Sequence, residues 1–212
     1  MIRRIWLVLM VSGLAVTGWA HPHMSLETEL AIVRGATAVE AVQVSWYMDL
    51  YFSTSILGDY DVDDNKVISP AESRAIEREA FSNLKNFGYF MLFRTAAGRF
   101  APKVVSNFVA SYEKNRLVYR FTVPCADLNL GREFWVTVFD LSYFCAVTYR
   151  NTPVQLIGPE TLAVKLARVS DRKNPVFYNP FGRADDKTEY KVWKPGLETA
   201  YPEEVHVLVE GS

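Results

Sequence analysis

The sequence predicts an α+β domain: mostly antiparallel, sandwich-like β-sheet with a helical, EF-hand-like insertion near its beginning. Three observations predict it. Apolar and polar residues alternate with period two from Ser25 to Met48 and in many short runs after Tyr89. Between Asp59 and Phe87 the period becomes helical, with Ile76, Ala80, Leu84 and Phe87 on one stripe opposite Glu77, Arg78 and Lys85. Ahead of that stripe, residues 61–72 carry oxygen-bearing side chains at the spacing of a cation-wrapping loop.

The chain opens with Arg3 and Arg4, then an apolar run, then the small-residue stretch Thr17-Gly18-Trp19-Ala20. That order is the grammar of a secretory leader, and the run, about a dozen residues, is short of the roughly 20 that a bilayer span needs. Residues 1–20 are therefore expected to be removed after Ala20, with export to the periplasm and no integral membrane segment left in the mature protein. Residues 21–212 are expected to form one domain, large enough to bury about 70% of its unfolded surface. Of the 23 basic and 24 acidic residues, the leader takes Arg3 and Arg4. The mature chain is thus mildly acidic, which argues against a nucleic-acid partner.

The first strand pair is expected where Leu26, Thr28, Leu30 and Ile32 alternate with Glu27, Glu29 and Ala31, turn at Gly35-Ala36, and return through Val42, Val44, Trp46 and Met48. A single helix follows inside the 59–87 insertion. Further strands are expected at 89–94, 104–112, 117–123, 134–140, 143–149, 154–157, 162–169 and 205–209. Residues 171–202, polar and rich in Pro and Gly, read as a long ordered loop. Cys125 and Cys145 would meet an oxidising compartment, so a disulfide is the first expectation. If 116–124 and 133–149 form a hairpin turning near Asn129, however, the two cysteines stand roughly 40 Å apart on straight strands, and a bridge would need a bend.

Two places could carry chemistry. In the loop 61–72, Asp61, Asp63, Asn65, the Val67 carbonyl, Ser69 and Glu72 occupy positions 1, 3, 5, 7, 9 and 12, an arrangement suited to calcium, with Ile68 as the apolar plug. Lys66 stands where glycine is usual and the backbone turns left-handed, at about 1 to 2 kcal/mol. Ser69-Pro70-Ala71-Glu72 is also a helix capping box, which explains much of the same pattern without an ion. The second place is His21-Pro22-His23, where a freed amine and two imidazoles would suit zinc, nickel or copper. Pro22 lacks an amide hydrogen, which blocks the square-planar mode that uses consecutive backbone nitrogens. His206, alternating with valines, reads more simply as a strand histidine than as a ligand. Motifs for hydrolytic triads, dinucleotide binding, phosphate loops and Cys-x-x-Cys chemistry are absent.

With a leader, His21-Pro22-His23, Trp46-Tyr47-Met48-Asp49, the acidic loop, and Val138-Phe139-Asp140-Leu141-Ser142-Tyr143-Phe144, the chain resembles the bacterial periplasmic family called domain of unknown function 1007. The likeness is firm over residues 21–149 and looser beyond. It implies a periplasmic component associated with a nickel, cobalt or zinc permease of the inner membrane. In the family the acidic loop usually has glycine where Lys66 stands. Asp49 and Asp140 match family positions, although each could equally be a strand-end carboxylate paired with an arginine or a backbone amide. The leading expectation is a metal-binding accessory protein, not an enzyme, with His21 and His23 as ligands to zinc or nickel and Asp49, Asp140 or His206 completing the set. A copper redox enzyme using the His21 amine and ring with His206, and an interaction module held by structural calcium, are the alternatives.

Overall fold

A computed structural model of the protein describes residues 22–182 and 188–210. The leader, its cleavage after Ala20, and His21 lie outside the described residues. The fold is α+β. Strands β1 (Met24–Arg34) and β2 (Val39–Met48) form the expected antiparallel pair, with Leu30 opposite Val44. Leu26, Thr28 and Leu30 point into the core while Glu27 and Glu29 point outward, as period-two patterning demands.

The helical region differs from expectation: it begins at Leu50, ahead of the 59–87 insertion, and comprises two α-helices and a 3₁₀ segment, where one helix was expected. Helix α1 (Leu50–Tyr60) is capped by Asp49, whose carboxylate accepts from the Phe52 N–H at 2.8 Å. Its sequence, LYFSTSILGDY, has no basic residue and no clear apolar stripe. It is held by docking: the fully buried Ser53 hydroxyl accepts from the Leu117 N–H at 2.9 Å. Helix α2 (Pro70–Glu79) begins with the expected capping box, in which Ser69 and Glu72 satisfy each other's backbone N–H groups. It docks in the same manner, Ser73 Oγ accepting from the Ala110 N–H at 2.9 Å. The stripe from Ile76 to Phe87 does not continue as one α-helix, because the chain passes into a 3₁₀ segment (Phe81–Phe90). There Gly88 takes φ +58°, and a Cβ on it would lie 2.4 Å from that of Ala101.

The remaining strands are β3 (Met91–Thr95), β4 (Gly98–Phe100), β5 (Ser106–Glu113), β6 (Arg116–Pro124), β7 (Glu133–Val138), β8 (Cys145–Tyr149), β9 (Gln155–Ile157), β10 (Val164–Val169), β11 (Val176–Tyr178), β12 (Glu198–Ala200) and β13 (Glu204–Val209). One sheet runs β5-β6-β2-β1-β8, with β9 also on β1; the other runs β10-β13-β7-β3-β4. All pairings are antiparallel except those of β8 and β9, which lie parallel to β1 along successive stretches of its free edge. A common core joins inward residues of both sheets, including Trp46, Tyr119 and Phe121 from one and Phe93, Phe134, Val136, Val205 and Val207 from the other.

Strands β6 and β7 are not a hairpin. Both neighbours of β6, β2 and β5, lie in the first sheet, and the chain crosses to the second sheet after Pro124. Residues 171–202 are also more than a loop: β11 and β12 pair, and Val176 and Tyr178 pack on Leu92 and Phe139, covering part of the outer face of the second sheet.

Cys125 and Cys145 are both free and buried. The Cys125 N–H donates to the Glu40 carbonyl at the start of β2, whereas Cys145 pairs with Met24, beside the Met48 end. Eight residues of strand separate those ends, about 26 Å, against the 7 Å that a disulfide tolerates. Burial pushes the Cys125 thiol up to about 12. Native protein is therefore expected to react with no thiol reagent while denatured protein titrates two thiols, and its melting temperature is expected to be the same with and without reductant; a shift of several degrees would contradict this arrangement. Among the described residues, no helix is long and apolar enough to cross a membrane.

Candidate metal centres and an apolar cavity

Helix α1 ends at Tyr60, α2 begins at Pro70, and the acidic loop lies between them, so its ligand types sit in a helix–loop–helix frame. One oxygen from each of Asp61, Asp63 and Glu72 falls within 4.8 Å of the others. The Asp61 carboxylate accepts from the Asn65 and Lys66 N–H groups at 3.2 and 2.8 Å, which curls the loop back on its first residue. Lys66 takes φ +60°, the left-handed backbone expected at the position where glycine is usual. Ile68 turns into the core as the plug. Glu72 accepts from the Val62 and Ser69 N–H groups, each at 2.8 Å, and these bonds, that from Ser69 first, hold its carboxyl below the usual range. Each oxygen keeps a second lone pair for a cation. The set is hard, oxygen-only and local, which fits calcium.

The nitrogen-centred set is more dispersed. His23 is exposed at the head of β1, its N–H donating to the Phe144 carbonyl at 2.9 Å and its ring 4.9 Å from that of Phe144. Asp49 and Asp140 lie in the same region, and both are engaged by backbone. Asp49 accepts from the Ser25 N–H at 2.6 Å as well as capping α1. Asp140, almost wholly buried, accepts from the Ser142 N–H and hydroxyl at 2.9 and 2.7 Å and from the Cys145 N–H at 3.0 Å. Burial pushes its carboxyl up, against the downward pull of those donors. Both carboxylates thus accept from backbone amides, as a strand-end carboxylate can.

His206 stands apart. Val205 and Val207 face the other sheet, so alternation turns His206 to the outer face of the second sheet. There its ring stacks on Trp135 at 4.7 Å and its Nε2 lies 2.9 Å from a Glu133 oxygen. Among the described residues, the one cluster of three or more His, Cys, Asp or Glu ligand atoms is that of Asp61, Asp63 and Glu72. The described residues thus fit a hard cation in the loop, and they do not gather a nitrogen-rich set for zinc, nickel or copper.

A cavity of about 320 Å³ lies between the sheet and the helical layer. Met24, Trp46, Met48 and Tyr119 wall it from the first sheet; Phe52 and Ile56 do so from α1, and Phe81 and Phe90 from the 3₁₀ segment. Asp140, Ser142 and Phe144 line it from the turn before β8. The stretches 46–49 and 138–144, both part of the family resemblance, meet at this chamber through Trp46, Met48, Asp140, Ser142 and Phe144. No periodicity announced it, since its walls come from six segments and use ordinary core residue types.

The family model described as "Protein of unknown function (DUF1007)" matches residues 6–208. An "Uncharacterized 15.5 kDa protein in trpE 3'region" of Spirochaeta aurantia is 24% identical over 141 residues, covering 65% of this chain and 97% of the relative. No solved structure matches. With the family model spanning nearly the whole sequence, the chain belongs to the DUF1007 family, whose function is unknown.

Proposed function

We propose that this chain is a metal-binding accessory protein, not an enzyme, whose loop 61–72 holds a hard divalent cation, calcium foremost. The observation that supports it is the convergence of Asp61, Asp63 and Glu72 oxygens within 4.8 Å in a helix–loop–helix frame. Bound there, the ion would tie α1 to α2 and so brace the helical layer against the sheet. Because the ion binds only the folded loop, calcium at a hundred times its dissociation constant is expected to stabilise by about 2.7 kcal/mol. Melting in chelator and in millimolar calcium reads this directly. Asp61→Ala and Glu72→Gln are expected to abolish the shift, whereas Lys66→Gly, relieving the left-handed backbone and removing a positive charge, is expected to enlarge it and to raise calcium-free stability by about 1 kcal/mol. An identical melting temperature in both conditions overturns the proposal.

A second reading keeps a transition metal, zinc or nickel, at the exported terminus and an inner-membrane permease as partner in the periplasm. What favours it is the placement of His23, clamped by backbone bonds to Phe144 at the exposed head of β1. His21 would follow it once the leader is cut. Equilibrium dialysis of the exported protein is expected to show micromolar zinc or nickel binding that His21→Ala with His23→Ala removes. Binding that survives the double substitution refutes this terminal site.

A further inference from the structure

We propose that the outer edge of β8 accepts one extended, uncharged peptide segment of a partner protein, which adds to the first sheet as a further strand. The backbone directions come first. The Phe144 carbonyl accepts from the His23 N–H and the Arg150 N–H donates to the Thr28 carbonyl, so the even-numbered residues of this stretch turn their backbone groups to β1. Alternation then turns the N–H and C=O of Val147 and Tyr149, with the C=O of Cys145, the other way. The Cys145 N–H also points away from β1, and the Asp140 carboxylate takes it at 3.0 Å. Among the described residues no strand pairs with this edge.

The other outermost strands of the two sheets are guarded against added chains. Helix α2 docks on β5, whose register slips between Ser106 and Val109; β10 carries Lys165 and Arg168; β4 and β9 have three residues each. Strand β8 has none of these devices: Cys145–Tyr149 contains no charge and no proline, and its register with β1 is unbroken. A second cavity, of about 460 Å³, lies along it, walled by all five residues of β8 and by residues 200–203, which lead into β13. A row of unpaired N–H and C=O groups beside such a space recognises an extended backbone, as in strand addition to a sheet edge. Inward side chains of the added strand would be apolar, because Val138, Phe139 and Tyr143 share the cavity wall. The segment is uncharged there, because the one charged wall residue, Glu203, is ion-paired with Arg168. A second copy fits less well, since pairing β8 with β8 would bring residues 200–203 of both copies to one edge.

The edge shares no residue with the cation loop, so the two proposals stand or fall separately. The probe is a fluorescein-labelled peptide of alternating valine and threonine with a lysine at each end. Fluorescence anisotropy with the exported protein is expected to show saturable, one-to-one binding. Two further peptides, N-methylated on one or the other alternate set of amides, separate strand pairing from mere adhesion. One set is expected to abolish binding and the other to leave it within about twofold, because only every second amide of an added strand faces β8. Val147→Pro removes a free-edge donor and spares the bonds to β1; it is expected to weaken binding about tenfold. Absence of saturable binding by the wild-type protein overturns the proposal, as does equal loss with both methylated peptides or wild-type affinity in folded Val147→Pro. Should Val147→Pro fail to fold, the methylated pair alone decides. A wild-type dimer that Val147→Pro converts to monomer would assign the edge to a second copy and likewise overturns the proposal.

Discussion

Glu204→Ala is expected to lower the unfolding free energy by about 3 to 5 kcal/mol, the loss typical of removing one partner from a buried ion pair. Glu204 is only 2% exposed, near the start of β13. Its carboxylate is gripped by Arg94, with Nε–Oε1 at 3.1 Å and Nη2–Oε2 at 2.5 Å, and Arg99 Nη2 lies 3.7 Å away. Arg94 also lies over the Trp135 ring at 4.0 Å, and Arg99 donates to the carbonyls of Asn174 and Pro175. Taking Glu204 away leaves two guanidinium groups facing each other, with the partly exposed Asp171, 3.8 Å from Arg94, and the charge of Glu189 acting on Arg99 to offset them. Burial already pulls the Arg99 pKa down, and Glu204 is the chief group opposing that pull. Urea titration followed by far-ultraviolet ellipticity measures the loss. A change under 1 kcal/mol would mean that water reaches the cluster and screens it.

Phe81→Ala is expected to cost a similar amount, about 3 to 5 kcal/mol, by a different route. Phe81 begins the 3₁₀ segment and its ring meets Trp46, Tyr89, Phe108, Tyr119 and Phe121, the closest being Phe108, stacked at 4.2 Å. Deleting it forfeits the transfer energy of the ring and opens a void against the existing chamber, and rings drawn from β2, β5 and β6 cannot all collapse into it. Phe81→Leu, which retains most of the volume, is expected to lose less than half as much. Equal losses for the two substitutions would show that ring geometry, rather than filled space, governs the site.

How far each feature could be read in the chain depended on how local its cause is. The β1–β2 pair was legible because alternation and a Gly35 turn are neighbours in sequence. The cation loop was legible because all its donors lie within twelve residues, and its capping box within four. Helix α1 was not, because Leu50–Tyr60 carries no stripe: Leu50 and Tyr51 are exposed while Ser53, a polar residue, is the one wholly buried. Its burial depends on a hydrogen bond from Leu117, sixty-four residues away. The 171–202 segment looked like a loop because few of its described residues carry its packing, chiefly Val176 and Tyr178 with Ala200 beside them, against Leu92 and Phe139 of other elements.

What the sequence by itself determined is the class of fold, the strand stretches and one compact oxygen-ligand loop, because short-range periodicity and backbone turns set these. Tertiary structure alone decided that β6 and β7 part to different sheets, that Cys125 and Cys145 lie at opposite ends of β2, that His206 faces outward beside Glu133, and that Asp49 and Asp140 serve backbone amides. It alone brought residues of six separate segments to the wall of one chamber. Each of these depends on which distant surfaces bury one another, and burial is a property of the packed whole that no window along the chain contains.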